Sequence, residues 1–385
     1  MSRTLEIHMI QNFAPSNLNR DDTGSPKDAF FGGSRRARIS SQCLKRSIRT
    51  RFASDPADRI PDEHLAVRTQ RVTERLSELL EERGRSTDDT DAIIEVALGG
   101  LSLTLKDGMS QYLLFLGNQE LDRVAELIDE HWDALSGAVP SDGKKSGKPK
   151  LPKELTAGLD DALDGGKAID VALFGRMLAN LPHRNQDAAA QVAHAISTHK
   201  VEREFDFYTA VDDLNTAADT GAGMLGTIEF NSACFYRYAA LDLDLLAANL
   251  LGDDELAIRG VGAFLRASIV AIPTGKQSSF AAHNPPSFVG VSVRSDAVPR
   301  NLVNAFEKPV PNSDEGLTDR SVALLIEEWM KLDAAYGVGD NPSSAYMNLT
   351  DADSGDLNNA DAKQVTSVEE LVASVVSAVR ATVGG

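Results

Sequence analysis

Residues 27–51 read KDAFFGGSRRARISSQCLKRSIRTR. The stretch holds eight Lys or Arg (Lys27, Arg35, Arg36, Arg38, Lys45, Arg46, Arg49, Arg51) against one acid, Asp28. Its balance is +7 in a chain whose total is −18, so the remaining residues sum to −25. A basic block in so acidic a chain is either a solvated face or the complement of a polyanion. Phosphate esters of nucleic acid are the default polyanion. The block continues into a predicted helix. Ser40 or Ser41 offers an N-cap, and Leu44, Ile48 and Phe52 recur at helical spacing as an apolar stripe. Lys45 and Arg49 form a neighbouring i, i+4 pair with Gln42 one turn upstream. One face would anchor the helix, and the next would present cations and free amides to a sugar-phosphate backbone. Gly32 and Gly33 just before it permit a tight turn.

The chain's 385 residues suffice for a sizeable core and two or three units. No apolar run approaches a membrane span, and the first residues, MSRTLEIHMIQ, lack the apolar centre of a signal peptide. Two cysteines, Cys43 and Cys234, make neither a disulfide framework nor a zinc spacing. Those features together predict a reducing, cytoplasmic setting and no membrane partner.

Leu5, Ile7 and Met9 alternate with Glu6 and His8 as in a half-buried opening strand. Arg35 to Ser40 reads as a second strand. Residues 61–135 look helical, and 136–158 read as a lysine-rich linker or surface loop. Residues 188–202 fit a helix or a buried strand, and periodicity does not decide. Residues 227–238 read as a strand, with Ile228, Phe230, Cys234, Tyr236 and Tyr238 on one parity. Helices are predicted near 242–270, 319–335 and 367–380. Strands at both ends around a helical insertion predict an α+β fold.

Several motifs fail as chemistry. GAGMLG at 221–226 matches a dinucleotide fingerprint but follows polar residues and precedes a strand, so Gly221, Gly223 and Gly226 read as a flexible loop. His183, His194 and His199 lack the spacing and acidic or thiol partners of a metal set, which favours structural or surface histidines. Asp212 and Asp213 read as solvated. No nucleophile elbow or phosphate loop is present. The expectation is a protein without catalytic residues, metal or cofactor. Phe205, Phe207 and Tyr208 sit between charged and glycine-rich chain. They either cap a small core or stack on bases of a single strand.

LNRDD (18–22), KDAFFGGSRRARISSQCLKR (27–46), FGRM (174–177), AHAISTHKVE (193–202), DFYTAVDDL (206–214) and NAFEK (304–308) resemble the CasC family. That family is the repeating guide-RNA-binding backbone subunit of the type I-E CRISPR Cascade complex. The likeness runs from the first strand to about residue 308, and the long N-terminal motif is its most specific part. It implies a modified RRM (ferredoxin-like) palm, a helical fingers insertion and a protruding thumb loop. The corresponding segments are 1–60 (palm, first part), 61–187 (fingers) and 188–385 (palm, second part), with the thumb at about 200–226.

The resemblance also implies partners: CRISPR guide RNA, neighbouring copies of the chain, other Cascade subunits, the target DNA strand paired to the guide, and a recruited helicase-nuclease. RNA backbone contacts are implied at Asn19, Arg20, Lys27, Ser40, Gln42, Lys45, Arg46 and Arg49, where Arg49 stands for a lysine of other members. Arg38 joins this set from the basic stretch. Met177, Phe207, Tyr208 and Thr209 match positions that wedge beside a displaced nucleotide. Other members often carry Trp-Phe where this chain has Phe207-Tyr208. Two further functions stay open on the residues alone: an RRM-like endoribonuclease using His194 or His199, and a general single-strand RNA-binding protein.

Overall fold

A computed structural model describes residues 3–57, 59–86, 88–106, 108–140, 151–210, 224–311, 314 and 316–383. It divides into two units, each built around its own core. The first comprises Met1–Ser54, Gln191–Asp242 and Val261–Gly385; the second comprises Asp55–Ala190 and Leu243–Gly260.

The first unit is built on the opening strand, β1 (Arg3–Ser16). β1 pairs antiparallel with Met224–Asp242 from Thr4↔Asp242 to Phe13↔Ala233, with a register shift before Ser16↔Asn231. Its other edge pairs antiparallel with Phe288–Ser295, from Arg3↔Ser295 to Ile10↔Phe288. Two further strands, β2 (Asp28–Phe31) and β3 (Ser34–Ile39), form a hairpin. The sheet runs Lys363–Gln364, Asp340–Asn348, Phe288–Ser295, β1, Met224–Asp242, Ala195–Ser197, β3, β2. Residues 195–197 therefore resolve the ambiguity of the 188–202 segment as strand.

β1 is buried on both faces, not half-buried as its alternation predicts. Leu5, Ile7 and Met9 are sealed on one side, but so are Glu6 and His8 on the other. The reason is helix Leu317–Tyr336, whose Val322, Leu325 and Trp329 share a core with Ile10, Tyr236, Tyr238 and Phe288. The polar side chains survive there because they are partnered. Glu6 pairs with Arg294 and accepts from the Tyr238 hydroxyl at 3.0 Å. His8 Nδ1 lies 2.9 Å from the Tyr236 hydroxyl, and complete burial lowers its pKa to about 3. On the opposite face Arg237 donates to the Ser268 carbonyl at 2.7 Å. Mixed α+β architecture on an RRM-like sheet is thus observed.

In the second unit, helices Val72–Glu82, Thr90–Gly100, Asn118–Glu130 and Lys153–Asp161 bury Leu76, Leu80, Ile94, Ile128 and Leu159 in one core. Helix Lys153–Asp161 begins inside the stretch read as a linker, because Leu155 and Leu159 face that core. Residues 141–150 of that stretch lie outside the described residues.

Candidate nucleic-acid interface

The β2–β3 hairpin turns on Gly32 and Gly33, with φ of 55° and 72°. Two positive φ values in a two-residue loop make the turn whose twist matches its strands. Gly32 also lacks room for a side chain: a Cβ there would lie 1.7 Å from the Glu307 carbonyl oxygen. The hairpin is thereby pressed against the NAFEK segment.

The eight cations of the basic stretch divide by what they touch. Arg36 is 0% exposed. Its guanidinium donates to the carbonyls of Ser197 (3.0 Å), Thr198 (2.9 Å), Phe306 (2.7 Å) and Glu307 (3.1 Å). It serves the fold and offers nothing to a polyanion, so it is neither part of a solvated face nor part of a polyanion complement. Arg35 is paired with Asp28. Arg38 donates from Nε to the Asp28 carbonyl at 3.0 Å, and its Nη1 lies 3.0 Å from His194 Nδ1.

Lys27 precedes β2, and the other four cations belong to helix α1 (Ser41–Phe52). Ser40 is the N-cap: its hydroxyl accepts from the Cys43 amide at 3.3 Å, and its own amide donates to Asn19 Oδ1 at 2.8 Å. Leu44, Ile48 and Phe52 are buried as the stripe predicts, and no acid occupies the first turn. Gln42 and Arg46 are exposed, while Lys45 and Arg49 are half-buried. Burial pushes the Lys45 ammonium below its ordinary pKa. The Lys27 amide donates to the Asn19 carbonyl at 2.9 Å, and the Arg38 amide donates to the Lys27 carbonyl at 2.9 Å. Asn19, Lys27 and Arg38 are thus stitched into one surface, while Ser40, which holds it to the helix, is itself buried. A groove of about 500 Å³ beside it is lined by Asn19, Arg20, Asp21, Asp22, Arg46 and Ser47, among others. The two acids at its rim were not foreseen as part of this surface.

The thumb aromatics lie on a strand, not in a loop. Glu204–Ala210 pairs antiparallel with the first part of Met224–Asp242, with Phe207↔Thr227 and Tyr208↔Gly226. Among the described residues Glu204–Ala210 pairs with no strand but Met224–Asp242 and stands off the main path of the sheet. Phe205 and Phe207 are 66% and 65% exposed, and Tyr208 is 39% exposed. Thr209 is exposed too. Strand alternation sends Phe205, Phe207 and Thr209 to one face and Tyr208 to the other. Tyr208 lies across Gly226, where a Cβ would come within 2.3 Å of the ring. Gly226 is therefore a strand residue kept small for Tyr208, not part of a flexible loop. Gly221, Gly223, Asp212 and Asp213 lie outside the described residues.

The root of this hairpin is fastened by a residue that the sequence did not mark. Arg203 donates to Asp28 Oδ2 at 2.7 Å and to Glu229 Oε2 at 3.0 Å. Asn17 Nδ2 donates to the Glu229 carbonyl at 2.9 Å. Burial opposes the Asp28 charge, but hydrogen bonds from Arg35 and Arg203 outweigh it and hold the carboxyl below its usual range. The one acid of the basic stretch is thus the anchor of the thumb. Only a charged run, VERE, surrounds Arg203 in the sequence, and nothing local names its partners.

In the second unit, Met177 is 72% exposed. The preceding Arg176 is buried and paired with Glu120 at 2.7 Å. Leu178 N donates to Asn185 Oδ1 at 2.6 Å. Met177 is displayed from a fixed backbone.

The histidines take different roles. His199 is pinned by the main chain: Nδ1 donates to the Lys200 carbonyl at 2.9 Å, and Nε2 accepts from the Cys234 amide at 3.3 Å. Burial lowers its pKa, as does nearby Arg36. His183 pairs with Asp160 at 2.9 Å.

The family model of the CT1975-like proteins (Cas_CT1975) matches residues 5–374. No curated protein matches. Among solved structures, a chain of a "CRISPR RNA-guided surveillance complex, pre-nicking" is 34% identical with a TM-score of 0.84, over 98% of this chain and 100% of that one. A chain of a "CRISPR RNA-guided surveillance complex" is 30% identical with a TM-score of 0.74, over 97% and 99%. A basic hairpin and helix, an exposed aromatic hairpin and a match along nearly the whole chain lead to one conclusion: the chain belongs to the CT1975-like family of Cas proteins.

Proposed function

We propose that this chain is a non-catalytic RNA-binding subunit of a type I-E CRISPR RNA-guided surveillance complex, of the CasC kind. Copies line up along the guide RNA in the cytoplasm and hold the spacer in short segments for pairing with target DNA. Other subunits of the complex and a helicase-nuclease complete its antiviral function. The observation that carries the reading is the exposed aromatic hairpin rooted at Asp28, in the same unit as the cationic helix α1. Exposed aromatics offer stacking that accepts any base, and the cations and amides of 19–49 suit phosphate and sugar. A subunit that must hold any guide needs that combination, because base pairing carries the sequence information. The two similar solved chains come from CRISPR RNA-guided surveillance complexes, which supports a place in such a complex. Among the described residues no helix is long and apolar enough to cross a membrane.

Both ring nitrogens of His199 are engaged by backbone, which argues against its use as an acid or base in RNA cleavage. The test is to purify the protein, sequence the RNA that accompanies it and weigh the assembly. Guide RNA carrying several copies of the chain is expected. Mixed cellular RNA, or a bare monomer, would overturn the reading.

A further inference from the structure

His194 stands outside the residues that the family resemblance implies for RNA contact, and a neighbour fixes its chemistry. Its Nδ1 lies 3.0 Å from Arg38 Nη1. A guanidinium has only donors, so Nδ1 must be the acceptor and the ring proton must sit on Nε2. Arg38 is held on its other side, where Nε donates to the Asp28 carbonyl at 3.0 Å. Protonating Nδ1 would set two donors face to face. Partial burial, then Arg38, then Lys27 lower the pKa of His194, so the ring is neutral near pH 7. Those two cations are the charged groups that act on it. The ring is otherwise exposed.

The result is a neutral N–H donor held at the surface beside a guanidinium and an ammonium. The three side chains supply donors and no acceptor, which fits the oxygens of a phosphodiester. We infer that His194 is an RNA-binding residue whose Nε2–H donates to a backbone phosphate oxygen alongside Lys27 and Arg38, as a neutral donor and not as a cation or a base. This rests on the RNA-binding reading above and adds a residue to it. The single lone pair of the ring is spent on Arg38, so the ring has none to accept a proton from a ribose hydroxyl.

The distinction is measurable because cations and neutral donors differ in salt dependence. A cation that meets phosphate displaces condensed counterions, so removing it lowers the salt slope by about 0.7 on a single strand. A neutral donor displaces none. The full chain is titrated with a fluorescent single-stranded RNA of arbitrary sequence across a salt series at pH 7.5. His194→Ala should weaken binding by about 10-fold with the wild-type slope, the loss of one donor to a charged acceptor. Lys27→Ala should lower the slope. His194→Gln should recover most of the affinity, since its amide can accept from Arg38 through Oε1 and donate through Nε2.

Three outcomes overturn the inference while leaving RNA binding in place. One is wild-type affinity in His194→Ala. A second is a lower slope in that variant, which would make the histidine a cation. The third is equal loss in the Ala and Gln variants with unchanged thermal midpoints, which would leave no role for the donor. RNA cleavage lost on His194→Ala would likewise refute it in favour of an acid-base role. Failure of the wild-type protein to bind RNA would sink this inference together with the proposed function.

Discussion

Replacing Arg203 with Met should loosen the thumb without unfolding the protein. Met keeps the length of the side chain and removes its charge-assisted contacts to Asp28 at 2.7 Å and Glu229 at 3.0 Å. Hydrogen bonds to charged groups contribute about 1.5–3 kcal/mol each in mutational series, whereas exposed ion pairs contribute about 0–1 kcal/mol. All three partners are partly buried, so the contacts fall between these limits. Asp28 keeps Arg35 as a partner, and water reaches Glu229. A local loss of about 1–2 kcal/mol follows, which is a roughly 5–30-fold rise in opening of the hairpin. Hydrogen exchange should therefore quicken by that factor at amides of 204–210 and 224–230 and stay unchanged in β1. Asp28→Asn should show a smaller effect, and the double variant should fall short of the sum, since the two residues share one contact. Unchanged exchange in the hairpin, or an equal rise across the whole sheet, would refute the assignment of Arg203 as a local anchor.

Four further outcomes are expected. Lys45→Ala and Arg49→Ala should each weaken RNA binding alike on unrelated sequences and lower the salt slope by about 0.7; sequence-selective loss in a titration series would contradict backbone contact. Ala at both Phe207 and Tyr208 should change stability by no more than about 1 kcal/mol in chemical denaturation, yet cost about 1–3 kcal/mol of RNA affinity per lost stack. Arg36→Met should destabilise by about 3–5 kcal/mol, because it removes four hydrogen bonds from a buried guanidinium to main-chain carbonyls; a change under about 1 kcal/mol in a urea midpoint would contradict that role. His8 is buried neutral with a folded pKa of about 3, below its unfolded value, so its contribution is complete above the unfolded pKa. That stability should fall by about 1.4 kcal/mol per unit as pH drops from about 6.5 toward the folded value, and His8→Asn should flatten that acid limb in denaturation midpoints.

What could be read in advance follows from where the partners lie. Helix α1 was legible because Leu44, Ile48 and Phe52 carry their signal within three turns. The aromatic hairpin was not, since Glu204–Ala210 has no buried face to impose a period. Glu6 and His8 looked like solvent-facing residues, yet their partners Arg294 and Tyr236 arrive from remote strands. Arg36 and Arg38 share a strand and a charge. The tertiary positions of Ser197, Thr198, Phe306 and Glu307 turn the first inward, and composition cannot separate them. Asn19, Lys27 and Ser40 came from motif likeness and Arg38 from the basic stretch, and the geometry that joins them is a backbone lattice no pattern announces.

β1 also sets the order in which the chain can fold. Its two neighbours in the sheet are Met224–Asp242 and Phe288–Ser295, both encoded far downstream. Closing such distant pairs is slow, and until then Leu5, Ile7, Met9 and Ile10 stand on a strand with both edges unpaired. The intervening second unit draws most of its core from the continuous stretch Asp55–Ala190, so it can collapse on local contacts first. A nascent chain stalled before residue 224 would therefore carry a collapsed helical core still lacking Leu243–Gly260, and a sticky, edge-open strand. Slow translation in the first half of the message is the condition under which this protein is most exposed to aggregation.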